Sequence, residues 1–244
     1  MTRPVNHIFR FKQFAVDQTD CAMKISSDAT IFGAYVPTSG AKFILDIGTG
    51  TGLLALMLSQ RAEATTRIDA IEIDAGAFTT AEKNARSSPF AAMLSVYNTS
   101  LQDYASRAPV AYDLIICNPP FFQSDLVTTI SKSAHLARHA HVDGLNFTTL
   151  INCVKLMLAA HGRFWVLLPA REAEVFRGLA SQAGLYERER LNLCHKSTSV
   201  PNRAIAAYAL EAGDLVTTQL ARYQADNNPT DAMRLLLAPY MLHY

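Results

Sequence analysis

The stretch "FILDIGTGTG", residues 43–52, decides the fold. It begins with an apolar run of the length of a buried strand, and glycines then follow at alternate positions: Gly48, Gly50 and Gly52. Glycine suits a turn in which the backbone folds tightly and comes close to a ligand, because a Cβ would stand in the way. The spacing departs from the G-x-G-x-x-G dinucleotide fingerprint, which disfavours a pyrophosphate resting on the helix N-terminus. We therefore expect this strand to point at a small molecule.

Short apolar runs alternate with amphipathic segments beyond this turn. The pattern predicts strands near 66–74, 93–100, 111–118 and 163–169, and helices near 52–62, 75–86, 146–162 and 170–183. Strands and helices in this order predict a parallel sheet with helices on both faces. Two last strands, near 186–194 and 204–211, have only a polar loop between them, which predicts an antiparallel pair at one edge.

The composition is that of a globular protein with one large core. The chain has 244 residues, half of them hydrophobic, and we expect a cap over 1–42, a main domain over 43–212 and a tail over 213–244 packed on it. The net charge of +1 indicates no global attraction to nucleic acid, so any RNA contact depends on local patches. Four scattered cysteines predict reduced thiols and no metal site. Without a signal peptide or membrane span, the default is a cytoplasmic monomer.

Acidic residues lie at or after the ends of three successive strands. Asp46 precedes the glycine turn, Glu72 comes 20 residues after Gly52, and Asp103 follows the third strand. They are either ligand contacts at a sheet edge where such folds bind ligands, or solvated loop acids. Together with the glycines they resemble the class I S-adenosylmethionine-dependent methyltransferases, whose cofactor turn, ribose acid and adenine contact they match in chain order. The resemblance implies S-adenosyl-L-methionine as cofactor and a Rossmann-like seven-stranded α/β sheet with one antiparallel edge strand.

The fourth strand ends in "CNPPFF", residues 117–122, which is too stiff for an ordinary turn. The side-chain oxygen of Asn118 and the carbonyl of Pro119 could accept the two N–H groups of a planar amine and turn its lone pair towards a methyl donor. Pro120 would hold these acceptors in place, and Phe121 would stack on a flipped base. The alternative is a plain strand stop. The motif resembles the (D/N/S)PP(Y/F/W) signature of amino-methyltransferases that act on nucleobases or glutamine amides.

The segment "FRFKQFAVDQTDCAMKISSDATIFGAYV", residues 9–36, resembles the opening of bacterial tRNA adenine-N6 methyltransferases that modify the adenine beside the anticodon of a valine tRNA. Basic residues among aromatics suit phosphate contacts and base stacking, which nominates Arg10, Lys12 and Phe14 as RNA contacts. An amphipathic edge strand that caps the sheet is the open alternative. The resemblance implies that Lys24 and Asp28 line the methionine end of the cofactor.

Two later groups of basic residues are weaker candidates for substrate contacts. Arg138 and His139 belong either to a loop that closes on the substrate or to a solvated loop, and metal binding is disfavoured. Lys196 and Arg203 flank the last polar loop, where they could contact RNA phosphates or simply form a charged hairpin tip.

These features predict a tRNA (adenine-N6)-methyltransferase. A protein glutamine methyltransferase poses the same chemical problem, but such enzymes usually carry Tyr where this motif has Phe121, and a substantial N-terminal helical domain. A ribosomal RNA guanine methyltransferase would accept the motif but typically has a duplicated domain. An RNA-binding protein with a vestigial cofactor fold is the non-enzymatic alternative, against which the intact motifs argue.

Overall fold

A computed structural model of the protein describes residues 7–19, 24–108, 110–119 and 146–243. The strands in this part of the chain are β1 Ile8–Arg10, β2 Ala15–Asp17, β3 Phe43–Ile47, β4 Arg67–Glu72, β5 Leu94–Asn98, β6 Tyr112–Cys117, β7 Leu158–Pro169, β8 Tyr186–Lys196, β9 Arg203–Ala209 and β10 Val216–Tyr223. The helices are α1 Ser27–Tyr35, α2 Leu53–Ser59, α3 Ala75–Arg86, α4 Leu101–Ala105, α5 Phe147–Met157, α6 Ala170–Gln182 and α7 Asp231–Leu237, with a 3₁₀ turn at Ala91–Met93.

Eight strands form one sheet in the order β10-β8-β9-β7-β6-β3-β4-β5. All neighbours are parallel except β9, which runs antiparallel to both β7 and β8. The predicted α/β class is therefore confirmed, with two differences in detail. In the described residues the sheet has eight strands instead of seven, and the reversed strand lies inside it, because β10 and β8 continue the sheet beyond β9.

Each central strand contributes side chains to two hydrophobic cores, one on each face of the sheet. Ile44 and Ile116 pack with α1, α2 and α7, whereas their chain neighbours Leu45 and Ile115 pack with α4, α5 and α6. This alternation is the period of a strand whose two faces are both covered. It explains why the central strands are apolar at nearly every position.

The border between α5 and β7 differs from the prediction. A helix was predicted through Gly162, but α5 ends at Met157 and β7 begins at Leu158. Gly162 is buried within β7, and a Cβ there would lie 2.8 Å from the carbonyl oxygen of Tyr112. This glycine permits two backbones to approach closely, and the prediction that it ends a helix was wrong.

Within these described ranges, no helix is long and apolar enough to cross a membrane. The same residues include no group of three or more His, Cys, Asp or Glu side chains arranged to hold a metal ion.

Candidate active site

The carboxyl ends of β3, β4 and β6 meet at one edge of the sheet. β3 lies between the other two, and Ile47, its last residue, is level with Ile71 on β4 and Cys117 on β6. The glycine turn, Glu72 and Asn118 therefore emerge side by side. This is the edge at which open parallel sheets bind their ligands.

The three glycines of the turn all have positive φ angles, which are 67° at Gly48, 59° at Gly50 and 81° at Gly52. A side chain would be strained in each of these conformations. A Cβ added at Gly48 or Gly50 would meet no atom within 4 Å, whereas at Gly52 it would touch Ala81 of α3 at 3.6 Å. The first two glycines thus border open space, as the approach of a ligand to the backbone requires, and the third allows close packing of α3.

Asp46 stabilises the glycine turn through hydrogen bonds. It is fully buried, and its Oδ2 accepts hydrogen bonds from the Thr49 hydroxyl at 2.5 Å and from the Ala55 amide at 3.1 Å. Burial, together with the nearby charge of Glu72, raises the pKa of Asp46 to about 7 in spite of these two bonds. Its Oδ1 is buried with no hydrogen-bond partner in the described part of the chain.

Glu72 joins the glycine turn to the loop after β4. One carboxylate oxygen accepts from the Gly50 amide at 2.9 Å and the other from the Asp74 amide at 3.0 Å. Asn98, at the end of β5, donates to the Glu72 carbonyl at 2.9 Å and so holds the two strand ends together. Asp103 is exposed in the first turn of α4, where its carboxylate accepts from the Ser100 hydroxyl at 2.7 Å.

Asn118 follows the last residue of β6, next to the buried Pro119. Its Oδ1 is buried and accepts no hydrogen bond from any residue that the structure describes. A buried acceptor without a donor costs free energy, so such an atom is a strong candidate for a ligand contact. Pro120, Phe121, Arg138 and His139 lie outside the described residues.

Comparisons with known proteins agree with this geometry. Residues 21–143 match the family described as the methyltransferase small domain. The tRNA1(Val) (adenine(37)-N6)-methyltransferase of Dyadobacter fermentans is 43% identical over 79% of this chain and 78% of its own length. The proteins of the same name from Escherichia fergusonii and Photorhabdus laumondii are each 34% identical, over 96% and 97% of this chain and 94% and 96% of their own lengths.

This chain belongs to the tRNA1(Val) (adenine(37)-N6)-methyltransferase family. The fold has a solved counterpart in a "predicted O-methyltransferase" from Agrobacterium tumefaciens, with a TM-score of 0.64 over 87% of this chain and 96% of that one. The two sequences are only 13% identical, so that likeness concerns the fold alone.

In this methyltransferase the start of α1 is held at the same edge of the sheet. Ser26 caps the helix by accepting from the Ala29 amide at 3.1 Å. Asp28 in the first turn forms ion pairs with Arg203 at 2.9 Å and Arg222 at 2.7 Å. Lys24 is exposed just before the helix. The predicted cofactor roles of Lys24 and Asp28 and the RNA role of Arg203 stay predictions, and Arg203 has a protein partner.

The three candidate RNA contacts in the N-terminal hairpin β1–β2 lie in different environments. Phe14 is buried and stacks on Phe11 with ring centroids 4.6 Å apart, which favours the packing alternative for this residue. Lys12 donates to the carbonyl oxygen of Ala238 at 2.6 Å. Arg10 is exposed on β1, as RNA binding would require.

Some residues of this methyltransferase site were not foreseen from the sequence. Thr49 donates to Asp46 at the end of β3, and Asn98 donates to the Glu72 carbonyl at the end of β4. Thr49 lies inside the glycine turn and Asn98 near the end of a predicted strand, and these positions were an available signal. Arg222 lies in a segment, "VTTQLARY", whose β-branched residues are typical of a strand. Lys196, at the end of β8, donates to the Ala225 carbonyl at 2.9 Å, so the predicted last loop touches the segment after β10.

Proposed function

We propose that this methyltransferase transfers a methyl group from S-adenosyl-L-methionine to the exocyclic N6 of the adenine beside the anticodon of a valine tRNA. The observation that carries the proposal is the buried Oδ1 of Asn118, an acceptor without a partner among the described residues at the strand end beside the glycine turn. The relatives, which are tRNA1(Val) (adenine(37)-N6)-methyltransferases, support the choice of substrate, and the "NPPF" motif supports an exocyclic or amide nitrogen as the acceptor of the methyl group.

The residues at the sheet edge fit the proposed cofactor. The open space above Gly48 and Gly50 leaves room for it next to the backbone. Glu72 is placed to accept from ribose hydroxyls, Asp103 from an adenine amine, and Lys24 with Asp28 would flank the methionine end. When bound, S-adenosyl-L-methionine supplies a methyl group that is ready to be attacked by a nitrogen lone pair.

The protein's part in the chemistry is to prepare that lone pair. The N6 lone pair of adenine is delocalised into the ring, and both N–H bonds lie in the ring plane. If Asn118 Oδ1 and the Pro119 carbonyl each accept one N–H, the nitrogen becomes more tetrahedral and its lone pair leaves the plane. The same oxygens stabilise the positive charge that develops, an effect of roughly 3 to 4 kcal/mol per polar group. The proton then leaves the product, so no general base is needed.

Binding of the RNA would rest on local basic groups, because the net charge is only +1. Arg10, Lys12, Lys196 and Arg203 are the candidates in the described ranges, to which the sequence adds Arg138 and His139. Phe121 is proposed to stack on the flipped adenine. With tRNA as its substrate, we expect a monomer that works in the cytoplasm.

Methyl transfer to tRNA from a strain that lacks this modification tests the proposal. The full chain, labelled S-adenosyl-L-methionine and this tRNA should give N6-methyladenosine, detected by mass spectrometry of nucleosides. Asn118→Ala should lower kcat by about 10² to 10³ because one preorganised acceptor is lost. Cofactor binding, measured by calorimetry, should persist.

Asn152→Ala is the matched control, because Asn152 is an exposed asparagine on α5. It should leave kcat unchanged. Label in ribosomal RNA guanine or in a protein glutamine, with none in tRNA, would instead support one of the two alternative methyltransferases. Undiminished transfer by Asn118→Ala would refute the proposed mechanism.

A further inference from the structure

A pocket of about 200 Å³ lies beside the start of α1, between β1, the end of β10 and α7. Its walls are mainly apolar, with Phe9 and Tyr223 as aromatic members and Arg222 as the charged one. None of the residues that line it belongs to the glycine turn, and neither Glu72 nor Asn118 takes part. Pockets for drug-sized ligands measure roughly 300 to 1,000 Å³. This one is too small for the whole cofactor, and its size suits part of a single nucleotide.

Arg222, which lines this pocket, has unused hydrogen-bonding capacity. One terminal nitrogen, Nη1, bonds to Asp28 at 2.7 Å, and the side chain is only 13% exposed. Nε and Nη2 are buried and have no hydrogen-bond partner within the part of the chain that the structure describes. These two nitrogens form the side edge of the guanidinium, whose parallel N–H groups match two oxygens of a phosphate. Buried donors of this kind are costly unless a ligand or water satisfies them.

The pocket lies at the same edge of the sheet as the candidate active site. β8 and β10 run parallel to β7, so Tyr223 at the end of β10 is level with Lys196 and lies at the same end of the sheet as Asn118. Arg203 shares Asp28 with Arg222, and Arg10 is the chain neighbour of Phe9. Three residues that the sequence predicted as RNA contacts, Lys196, Arg203 and Arg10, are therefore linked to residues of this pocket, although they do not line it.

We propose that the pocket binds one nucleotide of the tRNA that lies a few positions along the strand from the methylated adenine. The Arg222 fork would hold its phosphate, and Phe9 or Tyr223 would stack on its base. Unstacked bases on aromatic rings, with arginine on the backbone, are the common mode by which proteins bind single-stranded RNA loops. This inference rests on the proposed function and extends it to a second RNA contact contributed by the C-terminal tail.

Binding of a fluorescent valine tRNA transcript to the full chain, at several salt concentrations, tests the pocket. Arg222→Lys keeps a charge beside Asp28 but loses the fork, and its Kd for RNA should rise about ten-fold or more. Arg222→Gln should also reduce the slope of log K against log salt by about 0.7 to 1. Tyr223→Leu should raise Kd about five-fold or more if its ring carries the base.

Arg86→Gln is the charge control, because Arg86 is exposed at the far end of α3. It should change neither Kd nor the slope measurably. Calorimetry of Arg222→Lys with S-adenosyl-L-methionine should give the wild-type Kd, which separates an RNA effect from a cofactor effect. If all the Arg222 and Tyr223 variants bind RNA with the wild-type Kd and the wild-type salt dependence, the proposed role of the pocket is wrong, even if tRNA methylation is intact. Absence of tRNA methylation by the wild type would instead refute the proposed function.

Photocrosslinking gives a test that does not depend on the stability of a variant. A transcript in which 4-thiouridine replaces uridine would be irradiated with the wild-type chain, and the attached peptides identified by mass spectrometry. We expect attachment to peptides that contain Phe9 or Tyr223. Attachment only to other peptides would contradict the pocket.

Discussion

Asp46 has a structural position in the glycine turn beside its proposed role in the cofactor site. Its carboxylate holds Thr49 and the start of α2, and burial raises its pKa from about 3.8 to about 7. Between these two values the unfolded chain releases the proton more readily than the folded one. The free energy of unfolding should therefore fall as pH rises through this window, and Asp46→Asn should lack this component.

Urea unfolding of the wild type and of Asp46→Asn at pH 5 and pH 8 tests this prediction. The stability of the wild type relative to the variant should decrease by about 3 kcal/mol between the two pH values. Glu63→Gln, at an exposed carboxylate before β4, serves as the control and should keep the wild-type profile. If the difference in free energy of unfolding between the wild type and Asp46→Asn does not vary with pH, Asp46 is ionised at both pH values in the folded protein.

The location of some residues could be predicted from local motifs. Contacts between residues that are far apart in the chain could not be predicted in this way. The glycine turn and Glu72 were predictable because each follows a recognisable strand, and the structure brings them together as the order of strands implies. Asp28 and Arg203 are 175 positions apart in the chain, and no local pattern announces their ion pair. Phe14 was ambiguous because an aromatic ring suits both a core and a base, and only the fold buries it.

Substitutions at two glycines separate two effects of an added Cβ, which are backbone strain and the loss of space for a ligand. Gly50 has a φ of 59° and borders the proposed cofactor space, whereas Gly178 is an exposed glycine inside α6. Gly50→Ala should lower the free energy of unfolding by about 1 to 2 kcal/mol through backbone strain. It should weaken S-adenosyl-L-methionine binding further, because the new Cβ occupies ligand space.

Gly178→Ala is the matched substitution, since no atom lies within 4 Å of its Cβ position. It should raise the free energy of unfolding by about 0.5 to 1 kcal/mol through helix propensity and leave the cofactor Kd unchanged. Urea unfolding and calorimetry of both variants provide the measurements. Cofactor binding by Gly50→Ala at the wild-type affinity would remove the turn from the proposed cofactor site.

Helices and strands with a clear hydrophobic periodicity were predictable from the sequence. Elements whose state depends on pairing with other strands were not. The bounds of α3 match the predicted 75–86, because its amphipathic pattern is bracketed by the cap Asp74 and a polar turn. The stretch 158–162 is apolar enough for either state. In the structure Leu158 pairs with Tyr112 of β6, and regular pairing resumes only at Arg163 after a shift in register. β10 was not predicted, because four of its residues are exposed and show no apolar alternation.

At the scale of the whole molecule, the last residues connect elements from the other end of the chain. The Tyr240 hydroxyl donates to the Met57 carbonyl of α2 at 3.0 Å, and the Arg61 guanidinium lies 5.8 Å from the centre of its ring. Arg61 also donates to the Gly33 carbonyl of α1, and the Lys12 amide donates to the Tyr240 carbonyl. The division into cap, main domain and tail stays a prediction, but these bonds make one cooperative unit the expected behaviour.

Tyr240 provides a direct test of that cooperativity, because its side chain is fully buried. Tyr240→Ala should lower the free energy of unfolding of the full chain by about 3 to 5 kcal/mol. Tyr240→Phe, which loses only the hydroxyl, should cost about 1 kcal/mol. Leu235→Ala, at a leucine of α7 that is 79% exposed, should change it by less than about 0.5 kcal/mol. If the tail and the main domain fold as one unit, fluorescence and circular dichroism will report the same shifted urea transition. A tail that unfolds alone would give an early transition and leave the main one in place.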